Sequence, residues 1–196
     1  MTAQIGDTFK YESYEYRIVA ISEPLQFRPQ DYGIQPKGVC SACWKGYWCE
    51  YNISEKGIIL ENFYVNSYND YYPEVNGVQP LRGQENQYFH YMGHHCYKGI
   101  NIKINYTGKI VVGKDFLSDY YIHMGYQRAW AYETLKELVF EEGALVEVID
   151  HSAMADMLRA KIQEDPEFGF KLHSNIPQFV EDSFDLSLKT KVWWIK

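Results

Sequence analysis

The stretch KGYWCEYNISEKGIILENFYV (residues 45–65) decides the fold expected of this chain. In its first half, Trp48, Glu50 and Asn52 alternate with more apolar residues, at the two-residue period of a strand that has one buried face. The buried face is expected to carry Tyr47, Cys49, Tyr51 and Ile53. SEKG provides a turn, and IILENFYV returns as the partner strand. The stretch therefore predicts an antiparallel hairpin that places Cys49 in the core.

The same alternation predicts strands on both sides of this hairpin. Residues 7–21 are expected to form a short hairpin around ESYE, and INIKINYTGKIVVG (100–113) two short strands around YTGK. The chain also contains 18 tyrosines, a residue type that suits half-buried pleated surfaces. Most of the chain is therefore expected to be β-structure.

Residues 132–150, YETLKELVFEEGALVEVID, allow two interpretations. The apolar pair before the sequence EEG matches the apolar pair after it, which favours a hairpin. A helix over 130–141 is the alternative, because Leu135, Leu138 and Val139 could also share a helical stripe. We prefer the hairpin. The predicted fold class is mainly β (α+β), an antiparallel sandwich or a partly open barrel.

One C-terminal helix is predicted over residues 152–164. Ser152 is the expected N-cap, since its hydroxyl can accept a backbone N–H, and Pro166 ends the helix because it cannot continue the hydrogen-bond ladder. The apolar face is expected to consist of Met154, Met157, Leu158 and Ile162.

The last residues are interpreted as an appendage. We expect residues 1–164 to form a single β-rich domain, and residues 165–196 to pack on that domain or on a neighbouring subunit. The appendage is expected to contain a short helix at PQFVEDSF and a terminal strand at LKTKVWWI. Because Trp193 and Trp194 are costly to leave exposed, this segment is a candidate contact for a homo-oligomer.

The longest irregular stretch, NSYNDYYPEVNGVQPLRGQENQ (66–87), is expected to be a functional or mobile loop. Aromatic side chains are enriched at recognition surfaces because they supply a large contact area with few rotatable bonds. The predicted binding surface consists of Trp44, Trp48, Tyr68, Tyr71 and Tyr72. The loop's Asp70, Glu74 and Asn76 could hold calcium, but their spacing fits no EF-hand and a solvated loop is the simpler interpretation.

The cysteines occur in GVCSACWKGYWC (38–49) and HYMGHHC (90–96). The first stretch contains the C-x2-C spacing of a zinc-binding turn. The candidate metal ligands are Cys40, Cys43, His94 and Cys96, with His90 and His95 as alternatives. No second pair of standard spacing follows, and a domain of this size does not need a metal to fold, so we expect no cofactor, with zinc as the alternative. Buried packing thiols are the simpler interpretation, and a nucleophile made of Cys40 with His94 or His95 is a third.

The distribution of charge argues against several classes of partner. The formal net charge is −7, and the lysines and arginines are scattered. Nucleic acid and anionic membranes are therefore not expected as partners, whereas a cationic partner would be tolerated. No basic segment followed by an apolar run opens the chain, and no stretch is long and apolar enough to span a bilayer. Four cysteines without an export signal predict reduced thiols in the cytoplasm.

A longer run resembles other proteins. The residues NYTGKIVVGKDFLSDYYIHMGYQRAWAYETLKELVFEEGALVEVID (105–150), together with CWKGYWCEY (43–51), resemble a group of small bacterial proteins that have no assigned activity. The resemblance implies a bacterial, intracellular setting and carries no functional residues with it.

These observations leave three hypotheses of function. We favour a non-enzymatic protein-binding module of the inhibitor or immunity type, because aromatic loops and negative charge occur without a catalytic motif. A small-ligand or sugar-binding β-domain is the first alternative, with Trp44, Trp48, Tyr71 and Tyr72 as a stacking platform. A zinc or thiol site is the second, and enzymatic activity is not expected.

Overall fold

The structure is a computed structural model that describes residues 2–54, 57–82, 95–165 and 175–195. The described strands are β1 (Thr8–Tyr11), β2 (Tyr14–Ile21), β3 (Tyr47–Ser54), β4 (Gly57–Val65), β5 (Leu81–Arg82), β6 (His95–Ile104), β7 (Gly108–Phe116), β8 (Tyr132–Glu141) and β9 (Ala144–Asp150). The described α-helices are α1 (Ser152–Glu164), α2 (Ile176–Phe184) and α3 (Leu188–Lys191). Short 3-10 turns cover Pro29–Tyr32, Ser118–Tyr120 and Ala129–Ala131.

The strands form a single mixed sheet in the order β5-β6-β4-β3-β1-β2-β7-β8-β9. Neighbouring strands run antiparallel except β1 and β3, which pair in parallel. The sheet is not closed into a barrel, but it curves until the β8–β9 turn meets the start of β4. A Cβ on Gly57 would lie only 1.8 Å from the carbonyl oxygen of Gly143. The predicted mainly β fold with a helix at 152–164 is therefore confirmed, as one curved, open sheet.

The hairpin of β3 and β4 follows the sequence pattern closely. Cys49, Tyr51 and Ile53 are buried in the main core, as the alternation predicted. A β-bulge at Glu61 shifts the register of the partner strand. Because the bulge adds one residue, Leu60 and Phe63 both face the core although they are three positions apart.

The hairpin interpretation of residues 132–150 is confirmed, and the helical alternative over 130–141 is wrong. Glu142 and Gly143 turn the chain with φ of 48° and 82°. The apparent helical stripe arises because β8 is covered on both faces. Leu138 packs in the main core, whereas Leu135 packs in a second core cluster under α1.

Helix α1 has the predicted bounds, but its cap and its buried face differ from the prediction. Ser152 is the first helical residue, and its hydroxyl accepts a hydrogen bond from the Leu135 N–H at 3.0 Å. The Ser152 N–H is satisfied by the Asp150 carboxylate at 2.8 Å. The predicted apolar face is wrong at Met154 and Met157, which are exposed. The residues that turn toward the sheet are Ala155, Leu158, Arg159 and Ile162.

Arg159 can replace a hydrophobic residue on the buried face of α1 because its charge is fully engaged. Its guanidinium donates to the carbonyl oxygens of Trp130 and Tyr132 at 2.7 and 2.9 Å, and also pairs with Asp156. A periodicity search for apolar residues cannot find such a position.

The C-terminal segment lies against the sheet through Val192, which packs with Val19 and Leu135 in the second core cluster. The short helix predicted at residues 177–184 is confirmed as α2. The terminal strand predicted at residues 188–195 is wrong. Helix α3 forms there instead, because the Ser187 hydroxyl accepts the Thr190 N–H and starts a helical turn.

No helix among the described residues is long and apolar enough to cross a membrane.

Candidate functional site

Two exposed tyrosines lie on a surface that is held by main-chain hydrogen bonds. The Tyr68 N–H donates to the carbonyl oxygen of Gln35 at 2.9 Å, and the Lys37 N–H donates to Asn66 at 2.8 Å. These bonds join residues 33–37 to residues 66–72. Tyr68 is 68% exposed and Tyr71 is 54% exposed.

Charged groups surround these two rings. The Lys37 ammonium lies 5.7 Å from the centre of the Tyr68 ring. Asp70, between the tyrosines, is exposed and has a positive φ of 51°, a left-handed conformation that aspartate tolerates better than most residues. We call Lys37, Tyr68, Asp70 and Tyr71 the tyrosine surface. It is fixed in its backbone and open in its side chains, which suits recognition of another molecule.

Tyr72 belongs to the predicted binding surface but points the other way. Its ring stacks on His95 with the centroids 3.6 Å apart. Its hydroxyl accepts the Ser67 N–H at 3.1 Å. Tyr72 therefore holds the loop against strand β6.

The two predicted tryptophans lie apart from the tyrosine surface. Trp48 is only 8% exposed and stacks on Tyr64 with centroids 3.9 Å apart, so little of this ring is open to another molecule. Trp44 is 54% exposed and stacks on Phe184 of α2 at 4.9 Å. The structure places these rings in separate contacts, and a shared platform of Trp44, Trp48, Tyr71 and Tyr72 does not form.

Two of the three residues considered as calcium ligands, Glu74 and Asn76, form hydrogen bonds within the chain. The Asn76 side chain donates to the carbonyl oxygen of Ile100 at 2.5 Å, and Glu74 accepts from Gln79 at 3.0 Å. The Asn76 amide nitrogen and one Glu74 oxygen are thus engaged by neighbouring groups of the chain.

Three of the four cysteines are buried, and all four are free thiols. Burial raises the pKa of Cys43, Cys49 and Cys96 above that of an ordinary thiol. The Cys43 thiol donates to the carbonyl oxygen of Tyr47 at 3.5 Å, and Cys96 packs with Trp48 and Tyr64 on the opposite face of the sheet from Cys49. A thiol that is kept protonated is a weak nucleophile and a poor metal ligand.

The predicted zinc site is only partly covered by the structure. His90 and His94 lie outside the described residues. Among the residues that are described, no group of three or more histidine, cysteine or acidic side chains is arranged to hold a metal ion. Among the described candidate ligands, Cys40 and His95 are partly exposed, and His95 is stacked on Tyr72.

A buried ion pair that the sequence did not indicate stands beside the cysteine stretch. The Lys45 ammonium lies 2.6 and 2.7 Å from the two oxygens of Asp7, which also accepts the Cys49 N–H at 2.9 Å. Burial alone would lower the pKa of Lys45, but the Asp7 carboxylate raises it above its ordinary value. The pair is satisfied on both sides and fixes the N-terminus to β3.

A second polar region at the C-terminus contains cations that are less well matched. Arg128 is 6% exposed, and Lys191 is completely buried. Lys191 donates to the carbonyl oxygens of Tyr126 and Ser183 at 3.2 and 3.4 Å. Burial, and next the nearby positive charge of Arg128, lower the pKa of Lys191 to about 7.

Arg128 lines a cavity of about 440 Å³ between α2, α3 and the chain around Trp130. The side chains around this cavity are Arg128, Trp130, Gln178, Asp182, Asp185, Ser187, Lys189, Thr190 and Trp193. We call it the polar cavity. None of its charged members stands in a sequence motif, because the cavity is assembled from distant segments. Trp193 is half exposed at its edge, so the predicted homo-oligomer contact through Trp193 and Trp194 stays a prediction.

Comparison of the chain with known protein families, with curated proteins and with solved structures finds no match. Any function proposed for this chain therefore rests on its own geometry and chemistry.

Proposed function

We propose that the chain is a non-enzymatic, cytoplasmic protein-binding module of the inhibitor or immunity type, and that it recognises a cationic protein through the tyrosine surface. The observation that carries the proposal is the pair of exposed rings, Tyr68 and Tyr71, on backbone that is already fixed by hydrogen bonds. Binding through such a surface costs little conformational entropy, because only two side-chain torsions per ring need to be ordered.

The charge of the chain supports a basic partner. The net charge of the chain is −7. On the tyrosine surface itself the charges of Lys37 and Asp70 balance, so the attraction would come from the chain as a whole. Complementary charge steers association and rejects acidic competitors. The four free cysteines support a reducing compartment for the encounter.

The tyrosine surface also differs from the chain's other exposed rings. Trp44 and Tyr121 are exposed as well, but each contacts another ring, Phe184 and Phe116 respectively. Tyr68 and Tyr71 are three residues apart on one loop, and tyrosine is enriched among the residues that contribute most to binding energy at interfaces.

The experiment is an affinity capture with matched variants. Full-length wild type, the double variant Tyr68→Ala/Tyr71→Ala and the control Tyr14→Ala are immobilised and exposed to a lysate of the organism that encodes the chain. Tyr14 is a suitable control because it is similarly exposed but stands at the β1–β2 turn. We expect a basic protein that wild type and Tyr14→Ala retain and the double variant loses.

The retained protein is then purified and titrated against the same three proteins. The double variant should bind at least about tenfold more weakly, which corresponds to about 1.4 kcal/mol. Equal retention by the double variant, or retention of no protein by wild type, would contradict the proposal.

A further inference from the structure

Arg128 is a buried cation with no ion-pair partner among the described residues. Its guanidinium lies between two aromatic rings, with the central carbon 5.8 Å from the Trp130 centroid and 5.2 Å from the Phe179 centroid. Within the part of the chain that the structure describes, it makes no ion pair and its Nε finds no hydrogen-bond acceptor. A buried cation with unused donors is costly, so such a group indicates a binding role.

Arg159 is a buried arginine of the same protein whose guanidinium does have hydrogen-bond acceptors, whereas the Nε of Arg128 has none among the described residues. It is buried to the same degree as Arg128, yet its donors reach two carbonyl oxygens and a carboxylate. The fold is therefore able to pair a buried arginine internally, and it does not do so at Arg128.

The carboxylates of the polar cavity are already engaged elsewhere. Asp185 accepts the Ser187 N–H at 2.8 Å, the Ser187 hydroxyl at 2.7 Å and the Thr190 hydroxyl at 2.5 Å. Asp182 accepts from Gln178 at 2.7 Å, and its charge favours the cation of Arg128 without forming an ion pair with it. The cationic side chains that line the cavity are Arg128 and Lys189, and neither forms an ion pair with a described residue.

We propose that the polar cavity binds a small organic oxyanion, a carboxylate or a phosphate, whose charged end pairs with the Arg128 guanidinium and whose apolar body packs on Trp193. A planar guanidinium holds two oxygens of such a group at once. Lys189, exposed at the cavity and lining it, adds a second positive charge. The volume of about 440 Å³ lies within the range of ordinary small-ligand sites.

The position of Trp193 indicates that the ligand also has a flat or apolar group. This side chain is half exposed and lines the polar cavity on one side and a second cavity of about 370 Å³ on the other. A flat or apolar group beside the anion would cover the ring.

A larger groove of about 650 Å³ runs along residues 23–28, but its arginine, Arg28, is exposed and already paired with Asp31. The polar cavity therefore carries the inference.

The test is an NMR titration of the full chain with sodium phosphate and, separately, with sodium benzoate. Ionic strength is held constant with sodium chloride. The indole N–H signals of Trp130 and Trp193 report on the cavity, and Trp193→Phe assigns the second. We expect saturable shifts of both signals with a Kd of about 1 mM or tighter, and tighter binding of benzoate than of phosphate, since benzoate adds the contact with Trp193.

Four variants separate this site from general charge attraction. Arg128→Gln should weaken binding at least about tenfold, and Lys189→Gln about threefold. Asp182→Asn should tighten it about threefold, because it removes a negative charge that opposes the ligand. Arg28→Gln, a control at an exposed arginine, should leave it unchanged.

The opposite results would overturn the proposal. These are the absence of a saturable shift with either probe, or shifts that Arg128→Gln leaves intact. Should Arg128→Gln fail to fold, as judged by circular dichroism, the two milder variants decide. Unchanged binding in both Lys189→Gln and Asp182→Asn would then refute the site.

Discussion

The tyrosine surface and the polar cavity differ in which groups are exposed and which are buried. At the tyrosine surface the backbone is ordered by hydrogen bonds while Tyr68 and Tyr71 extend into solvent. At the polar cavity Arg128 is buried beside Trp130 and has no ion-pair partner among the described residues. The first arrangement suits a large partner that brings its own surface, and the second suits a small ligand that supplies a missing charge. Exposure and burial thus separate two kinds of binding that residue composition alone does not distinguish.

The largest expected effect tests what supports the tyrosine surface. Phe63 contacts the rings of Phe27 and Tyr97, and the Tyr97 hydroxyl donates to the carbonyl oxygen of Pro73 in the loop. Phe63→Ala should lower the free energy of unfolding by about 3–5 kcal/mol through the lost packing and the cavity left behind. Urea denaturation followed by circular dichroism measures it.

Tyr68→Ala is the matched control for that experiment, since an exposed ring should change stability by no more than about 0.5 kcal/mol. A loss of several kcal/mol in Tyr68→Ala would mean that the ring is part of the core and would break the contrast between the two regions.

The next effect concerns helix α1, which supports the polar cavity. Leu158 is buried in the cluster that contains Trp130 and Val192, whereas its neighbour Met157 is 73% exposed. Leu158→Ala should cost about 2–5 kcal/mol, and Met157→Ala no more than about 0.5 kcal/mol. Denaturation of both variants under the same conditions checks this. An equal loss of unfolding free energy in the two variants would mean that Met157 is buried, as the sequence predicted for the apolar face of α1.

A third prediction uses the pH dependence of the polar cavity. Lys191, near Arg128, Asp182 and Asp185, has a pKa of about 7 when folded, below the ordinary value of 10.5. Between these two values the unfolded chain binds more protons, so this lysine makes the free energy of unfolding rise with pH. Relative to Lys191→Met, wild type should gain up to about 1.4 kcal/mol per pH unit between pH 7 and 10.

Urea denaturation at pH 7, 8 and 9 measures the difference between the two proteins, in which the titration of other groups cancels. Curves that stay parallel over this range would show that Lys191 remains charged in the folded protein and is not under a burial penalty.

The smallest effect concerns the thiols. Cys40 is partly exposed, whereas the other three cysteines are buried and their pKa values are raised. Iodoacetamide should therefore modify Cys40 in the native protein at least about tenfold faster than the others, as peptide mass spectrometry can show. Equally fast modification of Cys43 or Cys96 would contradict their described environments.

Much of the sheet was predictable because a strand with one buried face has apolar and polar residues in alternation along its sequence. Cys49, Tyr51 and Ile53 are an example. Strand β8 was ambiguous because it is covered on both faces, which destroys the alternation. The terminal strand was predicted wrongly because LKTKVWWI alternates locally, although the cap at Ser187 and the burial of Lys191 bend it into a helical turn.

The candidate sites differ in the same way. The turn-rich loop indicated Tyr68, Tyr71 and Tyr72 together, but its sequence did not show that Tyr68 and Tyr71 are exposed while Tyr72 stacks on His95. The burial of Trp48 could not be inferred, because it depends on the register that brings Tyr64 beside it. Arg128 and Lys191 carry no signal at all. Their burial depends on how α2 and α3 pack beside the chain around Tyr126, a tertiary relation between segments about sixty residues apart.

We propose that the tyrosine surface and the polar cavity bind their ligands independently of each other. The most direct test is a crossed titration, in which the captured basic protein and benzoate are each titrated against wild type, Tyr68→Ala/Tyr71→Ala and Lys189→Gln. We predict that the double tyrosine variant loses at least about tenfold in affinity for the protein and binds benzoate normally, while Lys189→Gln binds benzoate about threefold more weakly and the protein normally. Loss of both affinities in either variant, or of neither in both, would contradict it.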